Sequence, residues 1–378
     1  MLAPQQHWWN IPPPMVPSPE HKQRVGIFTG GGIAPGLNAV LSTAAKVLKE
    51  SGHEVLGIPE GWKGMLEVRP DIVNLTRMSR RELHDLMSTG GTTLRSSRTK
   101  IREEQYAAVA EAVRGYGLTG IIAIGGDDTL GQARALHEQG IVQAIGVPKT
   151  VDNDVFGTDR TFGFETACDR AAGVIRDMRT DAESMTRVAI VEVMGRNAGW
   201  ITLHGGEAGG ADITLIPEFP IDEDTLIKRV QEVFSEQGAD GKPANAAVIA
   251  ISEGYFGDDK NETDAFGHGK MRGAAQRLAE VIKRKTGIGT QEQVIGYHAR
   301  NGAPAAHDAI FASRLGAYAG TLASQNTYGR MVALRDGQIT DVPLSEVAGG
   351  RYVTDDFYDP VTMTMRLVPK KLQHAITI

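Results

Sequence analysis

Cysteine is nearly missing: the 378 residues contain one, Cys168. A disulfide within the chain is excluded, and a reducing cytoplasm is the compartment that fits. Cys168 lies in an apolar helical stretch, Thr-Ala-Cys-Asp-Arg-Ala-Ala-Gly-Val over 166–174, where a buried thiol is expected rather than a reactive one. No apolar run approaches the ~18 residues that cross a bilayer, so no membrane partner is expected. The opening residues lack the basic segment and apolar stretch of a secretory signal. Residues 1–23, proline-rich and carrying the pair Trp8 and Trp9, read as an extended arm. An excess of basic residues is missing too: 40 Lys and Arg against 46 Asp and Glu leave a net charge of −6. That balance argues against nucleic acid and anionic membrane as partners. Any polyanionic substrate must be held by local arginines and lysines.

With 41% hydrophobic and 23% charged residues, the chain can bury a full core and divides most naturally into two α/β lobes. From Arg24 onward, short β-rich apolar runs alternate with helical patterns, the signature of parallel βαβ units. The expected fold is α/β, with two doubly wound, Rossmann-like lobes and mainly parallel sheets. Strands are predicted at 25–29, 54–58, 120–124, 144–147, 188–193, 246–252 and 293–297. Helices are predicted at 103–114, 130–138, 270–284 and 304–323. Glycine clusters fall directly after strands, where open α/β sheets bind ligands. Near the end, Arg-Asp-Gly-Gln over 335–338 has the composition of a hairpin turn, and the segment beyond it carries little functional signal.

Three segments carry chemistry. Residues 29–38 read Thr-Gly-Gly-Gly-Ile-Ala-Pro-Gly-Leu-Asn, a strand-to-helix turn whose amides and helix N-terminus suit phosphate, although a tight turn alone also demands glycine. Residues 124–131 read Ile-Gly-Gly-Asp-Asp-Thr-Leu-Gly. Two adjacent carboxylates closing a buried strand call for a neutralising cation, such as Mg²⁺ bridging phosphoryl oxygens; capping of the next helix by Asp128 or Thr129 would account for one of them. Residues 146–159 read Gly-Val-Pro-Lys-Thr-Val-Asp-Asn-Asp-Val-Phe-Gly-Thr-Asp. Here an aspartate beside a substrate hydroxyl can accept its proton, a second aspartate two residues on lies on the same side, and Lys149 offers an ammonium.

The order Gly-Gly-Asp, then Thr-Val-Asp-Asn-Asp, then Met194-Gly195-Arg196, then Ser252-Glu253-Gly254 resembles the 6-phosphofructokinase family over roughly Arg24 to Ala323. That resemblance implies phosphoryl transfer to a sugar phosphate in glycolysis, with Mg²⁺ on Asp127. It implies donor contacts at Gly32 and Arg98, and Asp152 as the general base, with Thr150 and Asp154 beside it. Met194, Gly195 and Arg196 would line the acceptor site, Arg196 also steadying the transferring group. Glu253 would bind sugar hydroxyls, and Tyr297 and Arg300 the sugar's own phosphate. Arg187 matches an arginine that reaches across a subunit interface, so a homodimer or homotetramer with shared sites is implied. The lobes then read as a donor lobe over 24–155 with part of the C-terminal region, an acceptor lobe over 156–323, and a C-terminal segment over 324–378.

Two positions separate the branches of that family that use ATP from those that use pyrophosphate. The ATP pattern has glycine at both; this chain has Asp128 and Lys149. A carboxylate at 128 intrudes where the α-phosphate lies, and a lysine at 149 adds a cation for a compact anion, so pyrophosphate is the expected donor. The acceptor side departs from the usual bacterial pattern, with Gln291 in place of an arginine and Ala299-Arg300-Asn301-Gly302 in place of Gln-Arg-Gly-Gly. A lost arginine contact to phosphate, about 1.5 to 3 kcal/mol, weakens acceptor binding unless His298, Lys270 or Arg272 substitutes. A longer acceptor such as sedoheptulose 7-phosphate, ATP as donor, and a non-catalytic regulatory chain are the competing readings.

Overall fold

The computed structural model describes residues 22–238, 241, 243–257, 259–263, 269–270 and 273–368. The expected N-terminal arm, apart from Lys22 and Gln23, lies outside the described residues, as does Arg272.

Along the chain the elements are β1 (Arg24–Thr29), α1 (Leu37–Glu50), β2 (Glu54–Gly57), β3 (Val73–Asn74), α2 (Arg80–Leu86), α3 (Tyr106–Tyr116), β4 (Gly120–Gly125), α4 (Asp127–Glu138) and β5 (Ala144–Pro148). There follow α5 (Phe164–Met185), β6 (Val188–Val193), α6 (Trp200–Gly209), β7 (Ile213–Leu215), α7 (Glu223–Phe234), β8 (Ala247–Ser252), β9 (Asp259–Thr263), β10 (Gly269–Lys270) and α8 (Ala274–Thr286). The last are β11 (Thr290–Val294), α9 (Ala306–Ser324), β12 (Arg330–Arg335), β13 (Gln338–Pro343), β14 (Tyr358–Asp359) and β15 (Thr364–Met365).

The chain divides into two units. The first takes the residues up to Thr150, then Val155–Gly163 and Asn301–Gly350; the second takes Val151–Asp154, Phe164–Arg300 and the residues from Arg351 on. This division puts α9 in the first unit, where the sequence boundaries left residues up to 323 in the acceptor lobe. It also gives the residues after Gly350 to the second unit.

In the first unit a seven-stranded sheet runs β13-β12-β5-β4-β1-β2-β3. Its five inner strands are parallel, and β3 and β13 close the edges antiparallel. Alternate side chains serve opposite faces. Val25, Ile27, Ile122 and Ile124 join a core with α1 and α9, whereas Phe28, Ile121 and Ala123 join one with α3 and α4. Helix α9 approaches α1 closely because Gly316 carries no side chain: a Cβ there would stand 2.5 Å from the Val40 carbonyl oxygen. The β12–β13 hairpin forms at the predicted turn, with Asp336 and Gly337 at φ 49° and 75°, the primed-turn geometry that suits twisted strands. Strand order reverses between β1 and β4, so the carboxyl ends of those strands frame a topological switch point.

In the second unit a four-stranded parallel sheet runs β11-β6-β8-β7. Helices α5 and α6 pack on each other and on β8, as do α7 and α8. The carboxyl ends of β11, β6 and β8 stand side by side. Cys168 is buried in α5, as expected.

Four boundaries depart from the sequence pattern. The last parallel strand is Thr290–Val294 rather than 293–297, because Gly296, at φ 51°, turns the chain into a 3₁₀ turn over Gly296–Arg300. Helix α4 starts at Asp127 rather than 130, since carboxylates are favoured in a first turn. Helix α3 is preceded by a separate 3₁₀ turn over Glu103–Gln105. Helix α8 begins only after Gly273, which has left-handed backbone at φ 38°.

Candidate active site

The glycine loop after β1 is fixed by its neighbours before any ligand arrives. The Gly30 amide donates to the Ile124 carbonyl at 2.9 Å and the Gly31 amide to the Ser97 carbonyl at 2.8 Å. Ser96 Oγ donates to the Gly31 carbonyl at 2.7 Å. The amides of Gly30 and Gly31 are thus taken by protein carbonyls. Gly30 and Gly125 are needed for space: a Cβ on either would lie 2.5 Å or less from the buried Thr129 side chain. Thr129 therefore plugs the gap between the two glycine turns. Arg98 directly follows Ser97, so the serine contacts hold its segment along this loop.

Lys149 is only 5% exposed. Its amide donates to the Gly125 carbonyl at 2.9 Å, and its Nζ donates to the Gly32 carbonyl at 2.6 Å. The side chain is therefore not a solvated surface lysine. Its ammonium sits on the glycine loop itself.

The acidic pair looks different from its sequence reading. Asp127 and Asp128 are both exposed, in the first turn of α4, whose N-cap is Gly126 without a side-chain cap. Neither occupies the N-cap position and neither is a buried charge; the helix dipole favours both. Lys100 Nζ lies 3.1 Å from Asp128 Oδ2, an exposed pair of little weight for stability. Among the described residues no group of three or more His, Cys, Asp or Glu side chains forms a metal cage. Mg²⁺ held by one or two carboxylates, water and substrate phosphates needs none, and Asp127 fits that donor set. Thr150, half-buried, accepts from Thr161 Oγ1 through its carbonyl at 2.8 Å.

In the second unit the three strand ends bring their loops together. The Glu253 amide donates to the Val193 carbonyl at 2.9 Å, and the Gly254 amide to the Gly195 carbonyl at 3.1 Å. The Gly195 amide reaches Glu253 Oε1 at 3.4 Å. A Cβ at Gly254 would fall 1.8 Å from the Arg196 carbonyl oxygen. Only glycine lets the Met194–Arg196 and Ser252–Gly254 loops lie this close, a requirement that the motif alone does not explain. Arg300 Nη2 stands 3.4 Å from Asp152 Oδ2, and its Nε donates to Met194 Sδ at 2.8 Å. Asp152, Met194, Gly195, Glu253 and Arg300 thus form one cluster, with the half-exposed Arg196 next in the chain. Asp154, half-buried, closes the same short segment as Asp152.

Tyr297 projects into solvent, 67% exposed. His298 is exposed on the same turn, where its carbonyl accepts from Arg170 Nη1 at 2.9 Å. Arg187 makes a two-point ion pair with Asp181, at 2.8 and 2.5 Å, which holds the Asp181 carboxyl below its ordinary range. Gln291 is half-buried on β11 and donates to the Glu292 carbonyl at 3.3 Å.

Burial, reinforced by the negative charge of Asp152, raises the pKa of Glu253 above its ordinary 4.5. The folded chain holds this proton more tightly than the unfolded one, so the associated stability is complete below 4.5 and is lost as pH rises through the raised value. Relative to the native chain, Glu253→Gln is expected to lose less melting temperature between about pH 4 and about pH 7. Parallel curves for the two proteins would contradict this.

The model of the family described as phosphofructokinase matches residues 24–323. The chain belongs to the phosphofructokinase family. As a phosphofructokinase it is a phosphotransferase by family, and its relatives carry names of two kinds. A pyrophosphate–fructose 6-phosphate 1-phosphotransferase from Thermoproteus tenax is 40% identical over 339 residues, covering 89% of this chain and 96% of the relative. An ATP-dependent 6-phosphofructokinase from Chloroflexus aggregans is 39% identical over 338 residues, covering 87% and 92%. Among solved structures, a pyrophosphate-dependent phosphofructokinase from Marinobacter aquaeolei superposes with a TM-score of 0.78 over 91% of this chain and 89% of that one. At 24% identity it bears on the fold alone. No helix among the described residues is long and apolar enough to cross a membrane.

Proposed function

We propose that the chain transfers a phosphoryl group from inorganic pyrophosphate to the 1-hydroxyl of fructose 6-phosphate, reversibly, with Mg²⁺ and without nucleotide. The observation that carries this reading is Lys149, buried, with its ammonium 2.6 Å from the Gly32 carbonyl oxygen. An ammonium so placed neutralises a small, highly charged donor where its phosphoryl groups meet the loop. Asp128 adds to it by filling and charging the space that a nucleotide's α-phosphate would need.

In this mechanism the second unit supplies the acceptor groups. Asp152 takes the proton of the 1-hydroxyl as its oxygen bonds to phosphorus; the bridging P–O bond breaks and orthophosphate leaves. Arg196 and Lys149 stabilise the charge that shifts onto the transferring and leaving oxygens. Glu253 orients the sugar hydroxyls, and Arg300 and Tyr297 bind the sugar's phosphate. Asp127 would hold Mg²⁺, which when bound neutralises phosphoryl oxygens. We place this step in cytoplasmic glycolysis, in a homodimer or homotetramer to which Arg187 contributes.

A longer acceptor is the second reading, motivated by Gln291 standing where an arginine is usual. Turnover measured with pyrophosphate or ATP against fructose 6-phosphate or sedoheptulose 7-phosphate tests both. The expected best pair is pyrophosphate with fructose 6-phosphate. A higher kcat/KM for the seven-carbon sugar would reassign the acceptor, and one for ATP the donor.

A further inference from the structure

The segment that begins at Arg351 was expected to carry little function, yet it grips the short loop that holds Asp152. Asn153, the residue after Asp152, has left-handed backbone at φ 53° and a buried side chain. Asparagine adopts this conformation more readily than other non-glycine residues, which suits it to a tight turn. Arg351 holds this turn from outside. Its Nη1 donates to the Asn153 carbonyl at 3.3 Å, and its main-chain amide donates to the Asp154 carbonyl at 2.8 Å. Two successive carbonyls after the candidate base are therefore held by one residue.

Arg351 is itself held in place. Its guanidinium carbon lies 4.3 Å from the centre of the Trp200 ring, and Trp200 Nε1 donates to the Arg351 carbonyl at 3.0 Å. Trp200, 2% exposed, is the first residue of α6. A second link fastens the same stretch: one Glu218 carboxylate accepts from the amides of Gly199 and Val353, each at 2.9 Å from Oε1. The stacking holds the guanidinium, while the indole donor and the carboxylate fasten the backbone on either side of it.

We propose that Arg351 is a positioning residue for Asp152, fixing the left-handed turn that aims the carboxylate, with Trp200 as its support. This rests on Asp152 being the general base. Misplacement of a reacting group by about 1 Å costs on the order of a hundredfold in rate, whereas binding made by other loops is untouched. Arg351→Ala is therefore expected to lower kcat by about ten- to a hundredfold, with KM for pyrophosphate and fructose 6-phosphate changed by less than about threefold.

The deciding experiment is a double-mutant cycle in the full chain, with Arg351→Ala, Asp152→Asn and both together. If Arg351 acts through Asp152, the double variant is no slower than Asp152→Asn alone, within about threefold. Rate losses that multiply would overturn the proposal, as would a native kcat in Arg351→Ala beside a crippled Asp152→Asn. A near-native Asp152→Asn would instead remove the base assignment on which the proposal stands. Should Arg351→Ala not fold, Trp200→Phe keeps an aromatic ring at this place and removes the Nε1 donor. It is expected to lower kcat about three- to tenfold at unchanged KM, and an unchanged kcat would overturn the proposal.

Discussion

Replacing Asp152 by asparagine is expected to lower kcat by about a hundredfold or more, with little change in KM for the sugar phosphate. Asparagine keeps the shape of the side chain and still accepts a hydrogen bond from Arg300, which stands 3.4 Å from the native carboxylate. It cannot take the proton of the attacking hydroxyl. The sugar contacts proposed for Glu253, Met194 and Gly195 lie on other loops, locked to each other by the Gly195–Gly254 hydrogen bond, and survive the change. The split between kcat and KM is therefore the informative quantity. Near-normal turnover in a folded variant would show that Asp152 is not the base.

Replacing Lys149 by glycine is expected to reduce pyrophosphate turnover by about a hundred- to a thousandfold, the scale of removing one preorganised charge from a transition state. Because Lys149 is buried and donates to the Gly32 carbonyl, glycine also opens space and frees the loop. Lys149→Met separates the two effects, keeping the bulk and removing the ammonium. A similar loss in both variants identifies the charge as the cause, and native turnover in Lys149→Met would contradict it. Asp128 sits differently, exposed and paired with Lys100. Asp128→Gly therefore leaves folding intact and is expected to admit ATP while pyrophosphate turnover changes little. Steady-state rates with each donor check both substitutions.

The parallel strands β1, β2, β4, β5, β6 and β8 were legible because each is a short apolar run bounded by turn residues, as in Val188–Val193, which is buried throughout, whereas the three-residue Ile213–Leu215 left no such run to read. The β11 boundary was missed because Thr290–Val294 is an edge strand of mostly polar residues, while Val294 and Ile295 suggested a run displaced toward Gly296. Helix α6 is not among the predicted helices; its Gly205, Gly206 and Gly209 serve close packing, with Cβ positions 2.7 Å from Ala171, Thr214 and Ile175.

At the site, the glycine turns and the motif carboxylates were visible from composition and spacing. The arrangement of their charges was not. That Lys149 is buried, and that Asp127 and Asp128 are exposed at a helix start, depends on where α4 begins and how β5 ends. The roles of Ser96, Ser97 and Arg351 had no local signal. Each acts through a contact with backbone far away in sequence, as Arg351 does with Asn153 and Asp154, and only folding brings such partners together.

The central claim is the identity of the donor. The most direct measurement is kcat/KM of the native enzyme for pyrophosphate and for ATP, at one fixed concentration of fructose 6-phosphate with Mg²⁺. A ratio of at least about a hundred in favour of pyrophosphate, a gap of about 2.7 kcal/mol, is the predicted result. A ratio near one, or a preference for ATP, would contradict it.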